Sequence, residues 1–125
     1  MAVKGMVEVN GATLSADLVK IDQRTGVITA EGHFVYATTN LRILGEKATL
    51  NPKTDTIVAQ KVRFGRSPTY FTAEELRMVK GDKSMTGVRM WRNDPEPDGM
   101  HLDIAEVRYT EADNWLAMRG VRPNL

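Results

Sequence analysis

The chain repeats itself four times at a period of about 30 residues. Self-similarity on that scale restricts it to a stacked architecture in which no unit buries its own apolar face. The copies start near Leu14, Ile43, Phe71 and Leu102. Each opens on an apolar–polar alternation and reaches a small or apolar residue (Ala16, Gly45, Ala73, Ile104), with an acidic residue one or two places on (Asp17, Glu46, Glu74, Glu106). A second alternation follows at 19–21, 48–50, 76–78 and 107–109, then a polar turn, then a third segment at 28–30, 57–59, 85–87 and 116–118. Alternation at period two is the signal of a half-buried strand. The repeating unit is therefore a β-hairpin.

The repeat also encodes shape. Apolar positions run at period two to Ala16 and resume at Val19, so the phase slips by one residue. The same slip separates Gly45 from Ala48, Ala73 from Leu76 and Ile104 from Val107. In a flat strand such a slip would turn every later side chain to the other face. A bulge or sharp bend at each slip keeps the apolar side chains together. Repeated once per copy, that bend folds the sheet along a line into a trough with two facing halves, rather than a closed barrel. The expected fold is all-β, with a dozen or more short strands.

Polar turns at 22–26, 51–55, 80–83 and 110–114 are rich in Asp, Asn, Gly, Pro or Thr, which accept turn geometry. The longest break, 93–99, holds Pro95 and Pro97 and reads as a loop, because proline donates no ladder hydrogen bond. The only helix-like stretch is 72–79, where Thr72 and Glu75 resemble a capping box. It aligns with strand segments of the other copies, and Leu76 and Met78 alternate around Arg77, so it reads as strand. The first strand (5–9) and the last (116–122) carry no obvious cap and leave open edges.

Composition excludes several functions. With 17 basic and 16 acidic residues, the chain lacks the basic excess of a nucleic-acid binder. It has no cysteine, hence no disulfide framework. No apolar run is long enough for a membrane-spanning helix, and residues 1–5 hold no signal core. Both ends look trimmed, so a longer parent product is expected. No Cys nucleophile or Ser/His/Asp spacing supports catalysis. The two histidines, His33 and His101, have no second ligand at metal-site spacing, so neither a metal nor a cofactor is expected.

The segment Ala16-Asp17-Leu18-Val19-Lys20-Ile21-Asp22-Gln23-Arg24-Thr25-Gly26-Val27-Ile28-Thr29-Ala30-Glu31-Gly32 resembles the repeat signature of the OstA-like periplasmic domains of the lipopolysaccharide transport (Lpt) machinery. Copies two (45–51) and four (105–110) match it more loosely. Copy three keeps Ala73-Glu74 and Gly87 but replaces the Asp-led turn. The likeness spans nearly the whole chain and implies one OstA-like domain over residues 1–125, with a bent β-jellyroll or β-taco fold. It further implies a periplasmic, non-catalytic carrier or bridge. Lipopolysaccharide acyl chains would lie in the apolar interior, and other jellyroll domains, including a second copy, would join end to end. The competing expectation is a self-assembling scaffold with a dry core and no cargo.

The residues expected to line the interior are Leu14, Val19, Ile21, Ile28, Phe34, Ile43, Leu50, Ile57, Phe64, Phe71, Leu76, Met78, Met85, Leu102, Ile104, Tyr109 and Leu116. Each buried methylene contributes about 0.8 kcal/mol, so acyl chains need no polar recognition to bind there. Aspartate at Ile57 or Leu76 is expected to abolish lipid capture. Lys61, Arg63, Arg66, Arg89 and Arg92 lie near expected strand ends and are candidates for phosphate contacts. Val7, Val9, Met118 and Val121 are candidates for partner contacts along the edge strands.

Overall fold

The alternating segments all lie in strands, and every strand pairs with the next along the chain. The computed structural model describes residues 2–9, 11–39, 41–66, 69–92 and 101–124, apart from the side chains of 2–5, 9, 65, 66, 92 and 124. The strands are β1 (Ala2–Val9), β2 (Ala12–Ile21), β3 (Ile28–Ala37), β4 (Arg42–Asn51), β5 (Thr56–Arg66), β6 (Thr69–Val79), β7 (Asp82–Arg92), β8 (His101–Thr110) and β9 (Trp115–Asn124). They form one antiparallel sheet in sequence order, with β1 and β9 as its unjoined edges. The strands are fewer and longer than the short segments expected from sequence. Each bend lies inside a continuous strand, so two alternating segments that read as separate strands are the two arms of one. The stretch that mimics a helix is strand β6, where Thr72 pairs Arg63 on one side and Arg89 on the other.

The turns form where the sequence places them. The Asp22 carboxylate accepts from the Arg24 amide at 2.9 Å and the Thr25 amide at 3.3 Å, and Gly26 supplies the left-handed residue (φ 79°) that closes the turn. Between β6 and β7 the chain reverses on two residues, Lys80 (φ 51°) and Gly81 (φ 91°), with Val79 paired to Asp82. Two positive φ values in a two-residue loop match the twist of the flanking strands. The 93–99 loop lies outside the described residues.

A bulge or a sharp bend is expected at each slip, and the register shows which occurs where. Pairing shifts only within the first four strands: between Val3 and Gly5 in β1, Ser15 and Leu18 in β2, and Glu31 and Phe34 in β3. From β4 to β9 no shift occurs. All six of those strands carry the slip, so neighbours bend together and stay in step. β3 holds one residue more than either neighbour at its bend, where Gly32 (φ 82°) and His33 (φ 47°) are both left-handed. Two slips cancel, which is why Ile28, Ala30, Phe34 and Tyr36 keep one parity. Lys61, Gly87 and Gly120 are the left-handed residues at the bends of β5, β7 and β9.

The core sits inside the fold line. Val19, Ala30 and Val107 are fully buried although they belong to a single sheet. With no helix and no second sheet among the described residues, only the opposite arm can cover that face. The core cluster accordingly joins Leu14, Phe34, Ile43 and Val62 of one arm to Val19, Leu50, Ile57 and Leu76 of the other. Small residues lie just past the crease, where the arms are closest: Ala30, Ala48 and Ala59 stand side by side across β3, β4 and β5.

Candidate functional site

Register stacks the inward side chains into rows that cross the sheet. One row runs Val19, Ala30, Ala48, Ala59, Leu76, Met85, Val107, Met118. Another, nearer the tip of the same arm, runs Ile21, Ile28, Leu50, Ile57, Met78, Lys83, Tyr109, Leu116. On the opposite arm, Val7, Leu14, Tyr36, Ile43, Phe64, Phe71, Met90 and Leu102 form a third. These rows hold nearly every residue expected to line the interior.

The rows differ along their length in what covers them. Leu14, Val19, Ile28, Phe34, Ile43, Leu50, Ile57, Leu76, Met78, Met85 and Ile104 are buried against one another. Ile21, Phe64, Phe71 and Leu102 are half-buried and pack on that cluster. Phe64 and Phe71 face across β5 and β6 with rings stacked at 5.1 Å. At β9 the cover ends: Leu116 is 50% exposed, Met118 39% and Val121 45%. The trough is therefore a packed core from β2 to β8 and an open apolar mouth at β9. β9 is an edge strand with a neighbour on one side alone, so its inner side chains lack the cover that a further strand gives.

One charged residue of these rows, Lys83, was expected in the 80–83 turn. Lys83 occupies the tip row two places before Met85, and the period-two pattern was enough to place it there. Its ammonium lies 4.9 Å from the centre of the Tyr109 ring and donates to the Gly81 carbonyl at 3.3 Å. Tyr36, on the opposite arm, has its phenol pKa raised, first by burial and then by the negative charge of Asp55. Asp55 lies in the β4–β5 turn at the tip of the other arm.

Of the basic candidates, Arg66 and Arg92 do end β5 and β7, but Lys61, Arg63 and Arg89 are not at strand ends. Lys61 is the left-handed bend residue of β5, and Arg63 and Arg89 point outward just beyond the crease. The reason is the length of the strands: positions that read as termini are the middles of bent strands. Lys61 lies 3.9 Å from Glu46, and Arg89 lies 3.5 Å from Asp103. The side chains of Arg66 and Arg92 lie outside the described residues. Of the edge candidates, Met118 and Val121 are exposed on the inner face of β9, and Val7 is half-buried on the core. The Val9 side chain lies outside the described residues.

The histidines take separate places. His33 Nδ1 is 3.0 Å from Asp17 across the β2–β3 bend. His101 sits against Trp91 with ring centres 5.3 Å apart, its Nε2 3.3 Å from Asp103. Trp115, unlike Trp91, stands in solvent at the start of β9. Among the described residues no cluster of His, Asp or Glu is arranged to hold a metal, and no helix is long and apolar enough to cross a membrane.

An unclosed nine-stranded sheet, folded on itself along a line of in-strand bends around an apolar interior, defines a β-taco jellyroll. Among solved structures, the chain is similar to LptH of Pseudomonas aeruginosa, described as the LptA-homologous periplasmic component of the conserved lipopolysaccharide transport device. The two share 11% identity and a TM-score of 0.70 over 91% of this chain and 94% of that one. The chain thus has the OstA-like β-jellyroll fold that its repeat signature resembles. No protein-family model matches the sequence, and no curated protein matches it either.

Proposed function

We propose that this domain is a non-catalytic periplasmic carrier or bridge, which shields the acyl chains of lipopolysaccharide or a related amphiphile in its interior. The observation that carries this reading is the β9 mouth. Leu116, Met118 and Val121 continue the inner rows of the core yet face solvent. Apolar side chains in that position offer acyl chains a surface continuous with the core, and each methylene covered contributes about 0.8 kcal/mol. The unpaired backbone of β9 lies beside the same mouth, so a neighbouring jellyroll, or a second copy, that adds its edge there would extend the trough. Cargo would then pass between domains without crossing water. The LptH likeness supports the same assignment.

The packed middle of the trough favours one competing reading, a scaffold with a dry core. Native mass spectrometry with lipid A separates the two. The carrier reading expects a discrete one-lipid complex that is lost when Leu116 and Met118 are both changed to Asp. These sites are exposed, so the variant keeps its fold. Ile57→Asp and Leu76→Asp are unsuitable, because both side chains are buried and their loss reports on folding. Folded protein that forms no complex, or a complex indifferent to the mouth substitutions, would refute the carrier reading.

A further inference from the structure

The outer face of the sheet carries a second surface, at the bends of β5 to β9. Where the strands bend, left-handed glycines leave a furrow across the back of the fold. Gly87 approaches Glu74 so closely that an added Cβ would lie 2.7 Å from its Cγ. The furrow encloses about 730 Å³ and spans β5 to β9. Along its rim, register aligns one outward residue from each strand: Arg63, Thr72, Arg89, Asp103, Arg122. Three arginines thus recur on alternate strands. With adjacent strands about 4.8 Å apart, each stands roughly 10 Å from the next. Lys61 adds a fourth cation at the same furrow. A neighbouring depression of about 520 Å³ shares Arg63 and Thr72 and adds Arg42 and Tyr70.

We propose that this furrow binds an anionic oligosaccharide, a sugar chain bearing carboxylate or phosphate groups. Guanidinium groups hold such anions through paired, charge-assisted hydrogen bonds. Arg63 and Arg122 make no ion pair among the described residues, so both are available. The rim is not uniformly basic. Asp103 and Glu74 would repel a ligand that is only anionic, but they accept hydrogen bonds from sugar hydroxyls. Thr72 and the Tyr70 phenol serve the same hydroxyls. An acidic peptide fits less well. Most of the furrow crosses β5 to β8, where the ladder already occupies the backbone groups that peptide recognition by strand addition requires. The site needs no acyl chain, and where it reaches β9 it uses Gly120 and Arg122 rather than the mouth residues Leu116, Met118 and Val121.

The test is calorimetry on the whole chain at low salt with three probes: hexagalacturonate, uncharged maltohexaose and hexaglutamate. Hexagalacturonate should bind, weaken as salt rises, and lose about tenfold or more in affinity in the Arg63→Gln/Arg122→Gln variant. Both side chains are exposed, so that variant should melt with the wild type. Leu116→Asp/Met118→Asp should bind the sugar normally, whatever its behaviour toward lipid. Failure of hexagalacturonate to bind, or equal binding by the arginine variant, would overturn the proposal. So would hexaglutamate binding as tightly as the sugar, which would make the furrow a peptide or general polyanion surface.

Discussion

Gly45→Ala tests how tightly the fold line is packed. Gly45 pairs directly with Phe34 across β3 and β4, and Phe34 is 1% exposed. A Cβ on residue 45 would lie 2.4 Å from Phe34 Cε2, 2.8 Å from Cζ and 3.0 Å from the Gln60 carbonyl oxygen. Carbon atoms in contact prefer about 3.5–4.0 Å, so the overlap with the ring exceeds about 1 Å. The ring is enclosed on all sides and the carbonyl belongs to the next strand, so neither can simply swing away. Overpacking of this kind costs about 1–3 kcal/mol. Alanine returns about 0.4–1 kcal/mol by restricting the unfolded chain. A net loss of about 1–2 kcal/mol follows, which for a domain of this size lowers Tm by roughly 4–10 °C. The assay is a thermal melt followed by far-UV circular dichroism, checked by urea titration. Phe34→Leu should itself destabilise by leaving a void. It should also make room for the new methyl, so that the double variant loses about 1 kcal/mol less than the sum of the singles. A Tm within about 2 °C of wild type for Gly45→Ala, or strictly additive losses, would refute the proposed packing at the bend.

Other expectations follow from the same geometry. Leu76→Ala, at a site 1% exposed, should cost about 2–5 kcal/mol, whereas Leu116→Ala should stay within about 0.5 kcal/mol; equal losses in urea titrations would contradict an open mouth at β9. The pKa of Glu106 is held below its ordinary value chiefly by a hydrogen bond from Arg108, with the Arg108 and Arg119 charges adding to it. A depressed carboxylate stabilises the fold above its unfolded pKa, and that contribution fades as pH falls through the lower folded value. Wild type should therefore exceed Glu106→Gln in Tm at pH 7 and converge toward it in acid, and a gap independent of pH would sink this account. Lys61, left-handed at φ 53°, is strained in a way glycine is not. Lys61→Gly should raise stability by about 0.5 kcal/mol after the added unfolded-state entropy of glycine, and a clear drop in Tm would contradict it.

Much of the fold is legible in the residues because strand and bend are local properties. Alternation at period two is set by the pleat, and a one-residue slip has the same consequence wherever it occurs. The hairpin order, the open sheet and the inward rows follow from these two facts, and Lys83 could have been placed by the same count. Strand number was misread because a bend and a turn both interrupt alternation, and only hydrogen bonding across the interruption distinguishes them. Three of the basic residues were misplaced for the same reason: Lys61, Arg63 and Arg89 look terminal only if the bend is taken for an end, whereas Arg66 and Arg92 do end their strands.

The repeat by itself determined that this chain is an all-β stack, folded along a line, with one apolar face inside. It could not determine which apolar residues are free to meet a ligand. Leu76 and Leu116 belong to the same pattern, yet one is sealed in the core and the other stands at the mouth. Exposure depends on what lies across the trough and on whether a further strand lies alongside. The outer arginines are alike in this respect. Arg63, Arg89 and Arg122 are far apart along the chain, and only a register kept constant from β5 to β9 brings them into one row. A strand specifies its own faces, and the sum of its neighbours' registers decides what those faces meet.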